Sequence, residues 1–253
     1  MGILKISMWL VFSSLIVGAC DMNITGKKTP DAEEFFKDSK ALALAHAIEK
    51  GDIKAIRKTV VETDINKQHI RGMTFLNWAF AHSNFESAEA LVELGADPHI
   101  ETEGVSPLSW AMDFKEVRWL KLLVESGADI DTKGGTSPLW FDTIISDNWE
   151  HFDYLLSNGV DLSATNKIGE TVIFPLAEHG SYRQVLKLIE KGVDVNVVLT
   201  GGLSFAHLVQ ESELASGHPE YENREKVIKI LEKEGYRFPV PSPKEVRKQW
   251  EKD

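Results

Sequence analysis

Cysteine is almost absent from this 253-residue chain: Cys20 is the only one. No intrachain disulfide can form, and no cysteine cluster can hold a metal. Positive charge is also short, with 28 Lys and Arg against 39 Asp and Glu and a formal net charge of −11. A surface of that sign repels nucleic acid and an anionic membrane face, and it is compatible with a basic protein partner. Catalytic motifs are missing as well. There is no H-E-x-x-H and no glycine-rich phosphate loop. Gly202–Ala206 comes near the G-x-S-x-G nucleophile elbow, but Ala206 stands where the second glycine belongs. These absences point away from an enzyme, a small-molecule substrate, a cofactor or a metal centre. The chain is still 43% hydrophobic, enough for a sizeable core.

What is present is a repeating unit, clearest at Gly104–Asp131, GVSPLSWAMDFKEVRWLKLLVESGADID. Gly104 supplies a turn, and Ser106 with Pro107 opens a short helix as N-cap and first helical residue. Leu108, Trp110, Ala111 and Phe114 carry its apolar side. Val117, Trp119, Leu120, Leu122, Leu123 and Val124 build a second helix, which Gly127 ends as a left-handed cap. Asp129 and Asp131 suit the next turn through local side-chain to backbone bonds. The opening glycine recurs as Gly72, Gly104, Gly135, Gly169 and Gly202, and the closing one as Gly95, Gly127, Gly159, Gly192 and Gly235. The hydroxyl cap recurs as Thr74, Ser106, Ser137, Thr171 and Ser204, and the turn aspartate as Asp97, Asp129, Asp161 and Asp194. Ser204 thus falls in the cap register, which explains it without catalysis. A period near 33 with two helices and a turn predicts an all-α solenoid.

These residues resemble the ankyrin repeat, best in SPLSWA with LLVESGADID, TFLNWA with LVELGADP, and LIEKGVDVN. The resemblance implies about six repeats over 41–238, with atypical ends. Ala41–Asn66 is a degenerate first repeat with Glu62 in place of the closing glycine. The last repeat carries an insertion at about Glu211–Glu222 before a helix at about Asn223–Glu234. The signature His survives only as His207, for which the family implies a structural hydrogen bond. Trp78 and Trp110 share one repeat position, usually buried between helices, and Trp119 holds another. Trp140 replaces the His that ties down the turn.

The ends differ in character. Residues 1–19 read as a leader peptide with Lys5 in its n-region and an apolar run over Ile6–Val17. Val17-Gly18-Ala19-Cys20 resembles the lipobox of bacterial lipoproteins, which implies lipidation at Cys20 and a lipid anchor. Asp21 resembles an inner-membrane retention signal, so a periplasmic location on the inner membrane is expected. A polar linker within 20–40 precedes a short helix through about Phe36, with Thr29 as its expected N-cap. At the other end, 239–253 is expected to form a proline-rich turn and a capping helix. Ser242-Pro243-Lys244-Glu245 reads as a capping box there, and Trp250 is expected to dock on the last repeat.

In ankyrin proteins the turn tips and the ends of the first helices usually face a protein partner. Carried over by position, repeat two supplies Ile70, Arg71, Met73 and His82. Repeat three supplies Thr102, Glu103, Val105, Asp113 and Phe114. Repeat four supplies Lys133, Thr136, Ile144 and Ile145, and repeat five Lys167, Glu170, Glu178 and His179. Met73, Val105, Phe114, Ile144 and Ile145 are apolar where solvent favours polar groups, so an exposed patch is expected. The resemblance implies an envelope-tethered binding module. Two roles fit it: an immunity-type inhibitor of a toxic effector such as a secreted lipase, or a periplasmic scaffold for a housekeeping or oxidative-defence protein.

Overall fold

The computed structural model describes residues 30–251. The leader, Cys20 and the linker before residue 30 lie outside them. The chain forms two compact units that meet in sequence at Ile130 and Asp131. The first holds α1 (Ala32–Phe35), α2 (Ser39–Glu49), α3 (Ile53–Thr59), α4 (Phe75–Ala81), α5 (Phe85–Glu93), α6 (Pro107–Met112) and α7 (Arg118–Glu125). The second opens with a small hairpin, β1 (Lys133–Gly134) and β2 (Ser137–Pro138). It continues with α8 (Asp142–Ile145), α9 (Trp149–Ser157), α10 (Ile173–Glu178), α11 (Tyr182–Glu190), α12 (Phe205–Glu211), α13 (Tyr221–Lys233) and α14 (Pro243–Trp250). No helix among the described residues is long and apolar enough to cross a membrane.

The hydroxyl caps set the start of three first helices. Thr74 accepts the Asn77 amide at 3.1 Å, Ser106 the Ser109 amide at 3.1 Å, and Ser204 the His207 amide at 3.0 Å. Such a cap contributes about 1 kcal/mol. Two expected caps fail. Ser137 lies in β2 opposite Gly134, and the ladder holds it out of the helix. The helix then starts late, as a tight turn over Leu139–Phe141 that runs into α8. At Thr171 the backbone carbonyl takes the Phe174 amide instead, and the buried hydroxyl has no hydrogen-bond partner among the described residues. At the N-terminus Asp31, not Thr29, caps α1 by accepting the Glu33 amide.

Within each unit the helices stack like on like. In the first unit, α2 packs on α4 and α4 on α6, while α3 packs on α5. In the second, α10 packs on α12 and α11 on α13. The core between the rows is apolar and includes Leu44, Ile48, Trp78, Trp110, Trp119 and Leu120 in the first unit. Trp140, Phe152, Phe174, Leu188, Phe205 and Leu231 do the same in the second. Trp78, Trp110 and Trp119 are therefore core, as their repeat position implies, and Trp140 joins them.

The turn aspartates act through short local bonds. Asp97, Asp161 and Asp194 accept the amides of His99, Ser163 and Asn196 at 2.9, 2.9 and 2.8 Å. Those bonds hold the Asp97 carboxyl below the usual range, the His99 amide being the largest cause. For Asp161 the Ser163 hydroxyl lowers it most. Neighbouring turns are also tied together: Asn66 accepts the Asp97 amide, and Asp131 the Asp161 amide, each at 2.8 Å. Lys187 on α11 pairs with Asp153 on α9 at 2.6 Å, and Arg118 on α7 with Glu86 on α5 at 3.9 Å. These pairs are exposed, so each adds at most about 1 kcal/mol.

One carboxylate of the insertion reaches the repeat before it. Glu220 accepts the Arg183 amide at 2.8 Å, at the head of α11, where Ser181 makes no side-chain cap. Residues of the last repeat thus close a helix of the one before it. α13 begins at Tyr221, two residues earlier than the sequence suggests. The capping box of Ser242 and Glu245 forms at the start of α14. That helix sits against Gly202, where a Cβ would lie 2.5 Å from the Pro243 carbonyl oxygen. Trp250 does not dock: it is 49% exposed, because α14 approaches through Pro243 and Arg247 instead.

Candidate partner-binding surface

In the first unit two tight turns form the tips. Arg71 and Gly72, then Glu103 and Gly104, each place two successive residues at positive φ. That geometry matches the twist of a hairpin and is costly for the two non-glycine residues. The tips clasp each other: Arg71 donates two bonds to the Glu103 carboxylate, at 2.7 and 2.9 Å. Thr102 and Val105 exchange both backbone bonds at 3.0 Å across the second tip, and Thr102 is buried. Val105 is half-buried, and Ile70 is 40% exposed.

Several expected surface residues turn inward. Met73 is only 5% exposed, because it leads straight into α4 beneath the tip. His82 at the end of α4 is half-buried with its ring 4.5 Å from Trp78, and burial lowers its pKa. Phe114 is half-buried and stacks on Trp119, with centroids 4.1 Å apart and planes at 19°. Asp113 is exposed at the C-cap of α6.

In the second unit the end of α8 separates two isoleucines. Ile144 is 1% exposed and Ile145 is 80% exposed. One residue along a helix turns the side chain by about 100°, which takes Ile145 out of the core that Ile144 enters. Thr136 is exposed in the hairpin turn, as are Lys133 and Lys167 beside the turns. Glu170 is nearly buried and bonded to the Asn166 amide group at 2.7 Å, so it does not face a partner. Glu178 and His179 end α10 and are exposed. His179 is tied down: Nδ1 lies 2.9 Å from the Ser181 hydroxyl, and Nε2 lies 3.9 Å from the Asp147 carboxylate.

Three exposed apolar residues were not singled out from sequence: Val61 at 79% in the first unit, and Ile168 at 56% and Val198 at 43%, both in turns of the second unit. Ile168 stands alone between Lys167 and Gly169, and Val198 lies inside the apolar run Val197–Leu199, where exposed and buried positions look alike in sequence. A further register was legible but missed. Gly51, Ser83, Asp147 and Gly180 all have positive φ just before a second helix. The ends of first helices in this unit are acidic: Asp147, Glu178, Glu211 and Glu213 fall there, with no Lys or Arg at 145–147, 178–180 or 211–213. Among the described residues no group of three His, Cys, Asp or Glu side chains is placed to hold a metal.

The comparisons agree with this architecture. Residues 44–134 match a family model described as ankyrin repeats in three copies. Protein PhlB of Serratia liquefaciens is 29% identical over 134 residues, covering 51% of this chain and 59% of that protein. The chain therefore spans somewhat over half the length of this curated relative. Among solved structures, the ankyrin repeat domain of Bcl-3 is similar with a TM-score of 0.61 at 20% identity, covering 81% of this chain and 92% of that one. The human ASB11 ankyrin repeat domain gives 0.56 at 20% identity, covering 79% and 86%. A chain in the complex of Bd0816 predatory endopeptidase from Bdellovibrio bacteriovorus with immunity protein Bd3460 gives 0.57 at 25% identity, covering 75% and 99%. Residues 44–134 carry ankyrin repeats, and the described chain has the ankyrin repeat fold of a protein–protein binding module.

Proposed function

We propose that this chain is an envelope-tethered, immunity-type inhibitor that binds and blocks a basic, secreted toxic enzyme. The observation that carries the reading is the surface of the second unit. Ile145 is 80% exposed at the end of α8, and the ends of the first helices in that unit hold four acids and no Lys or Arg. An apolar anchor rimmed by charge of one sign is the anatomy of an interface that steers an oppositely charged partner. The similarity to a chain in a complex of an endopeptidase with an immunity protein supports the inhibitory role. The net charge of −11 supports a basic partner. In this reading Cys20 carries the lipid anchor, and the binding unit works from the periplasmic face of the inner membrane.

The test is capture followed by assay. The protein that co-purifies with the wild-type chain is purified alone, and its hydrolytic activity is measured against rising amounts of this chain. Inhibition to below about a tenth of the free activity near a one-to-one ratio is the expected result, as tight binding requires. A partner that is captured but keeps full activity contradicts the inhibitor and favours a scaffold.

A further inference from the structure

The first unit contains an aromatic cluster that the binding surface does not use. Phe36, at the C-cap of α1, is 1% exposed and stacks on Phe75 at 5.2 Å with planes at 5°. Its ring also meets His69 edge-on at 4.8 Å and Trp78 at 5.3 Å. Phe35 lies 5.4 Å from Trp78, whose other neighbour is His82 at 4.5 Å. Both imidazoles bury Nε2 with no protein partner among the described residues. α1 itself has a single turn and is held by Ala32, Phe35 and Phe36.

We propose that α1 is an acid-released latch: it stays docked while His69 and His82 are uncharged and lets go when they take up protons. A charged imidazole has no counter-group at its buried nitrogen, and it must be desolvated among phenyl and indole rings. Burial is the largest cause that lowers the pKa of both. Lys67 lowers His69 further, while Asp38 and Asp64 oppose it. Glu49 is the acid that opposes the shift at His82. The folded-state values therefore lie below the ordinary value of about 6.5. Docking is fully supported above that pH and is lost as the pH falls from there through the folded-state values.

The other charges nearby do not reverse this. His46 is raised, chiefly by its bond to Glu49, and it also meets Glu33 of α1 at 3.3 Å. That pair strengthens in acid and works against release, but both partners are exposed and solvent screens them. Arg71 is engaged by Glu103. Glu34 and Lys37 are exposed, on and just after α1. Where residues before 30 tether the chain, as proposed above, release lengthens the tether by residues 30–37, about 26 Å when extended.

Amide hydrogen exchange on the full chain at pH 7.5 and pH 5.0, corrected for intrinsic rates, tests the latch without needing a partner or a tether. Protection at 32–36 is expected to fall at least tenfold at pH 5.0 relative to amides of α5. In His69→Phe, which keeps an aromatic contact and cannot titrate, it should fall less than threefold. Should that variant fail to fold, His82→Phe and the NMR titration of His69 in the wild-type chain serve instead. His69 is then expected to titrate below about 6.5. Unchanged relative protection in the wild type, an equal fall in the variant, or titration at or above that value overturns the latch.

Discussion

Replacing Ile144 by serine is expected to lower stability by about 2–4 kcal/mol, while the same change at Ile145 alters it by less than about 0.5. The two residues are neighbours on α8 and chemically identical, so the contrast isolates burial. Ile144 is 1% exposed, so its loss leaves a cavity into which surroundings generally relax only in part, and the change adds a hydroxyl to a buried site. Ile145 is 80% exposed and surrenders almost no buried area. Urea unfolding followed by circular dichroism measures both. Equal losses would place both side chains in the core and remove Ile145 from the surface. The sequence expectation treated the pair as one exposed patch, and the structure divides it.

The second large effect concerns Trp119, where alanine is expected to cost about 3–5 kcal/mol. Trp119 is 1% exposed and meets Phe80 at 4.9 Å, Phe85 at 5.2 Å and Phe114 at 4.1 Å. Each aromatic pair adds about 0.5–1.5 kcal/mol beyond its buried area. Phe114→Ser should cost less, because that ring is half-buried and its stacking face is the part lost. The double variant should then be less destabilised than the sum of the singles, since the stacked contact is counted once. Strict additivity in urea midpoints would show that the two rings do not interact. This places Phe114 in the packing between repeats rather than at the centre of a binding surface.

The repeat register was legible because it rests on backbone chemistry. Gly127 and its equivalents hold φ values that L side chains resist, and Ser106 and Thr74 cap helices through local geometry. The same logic failed at Ser137 and Thr171, where a two-residue ladder or a carbonyl took the bond. Such competition is decided by contacts a few residues away, and the cap residue itself does not reveal it. The surface was harder still. One step along a helix separates Ile144 from Ile145, and a register drawn from other repeats carries an uncertainty of that size. Met73 is only 5% exposed and the ring of His82 lies against Trp78, which periodicity cannot resolve. Ile168 and Val198 gave no periodic signal at all.

The most direct test of the binding surface is site-specific photocross-linking in intact cells. A photoreactive phenylalanine analogue is placed in turn at Ile145, at Ile168 and at Glu232, which is exposed on α13. A discrete adduct with one partner from positions 145 and 168, and none from 232, is the predicted result. An adduct from 232 with none from 145 or 168 would contradict the surface assigned to the second unit.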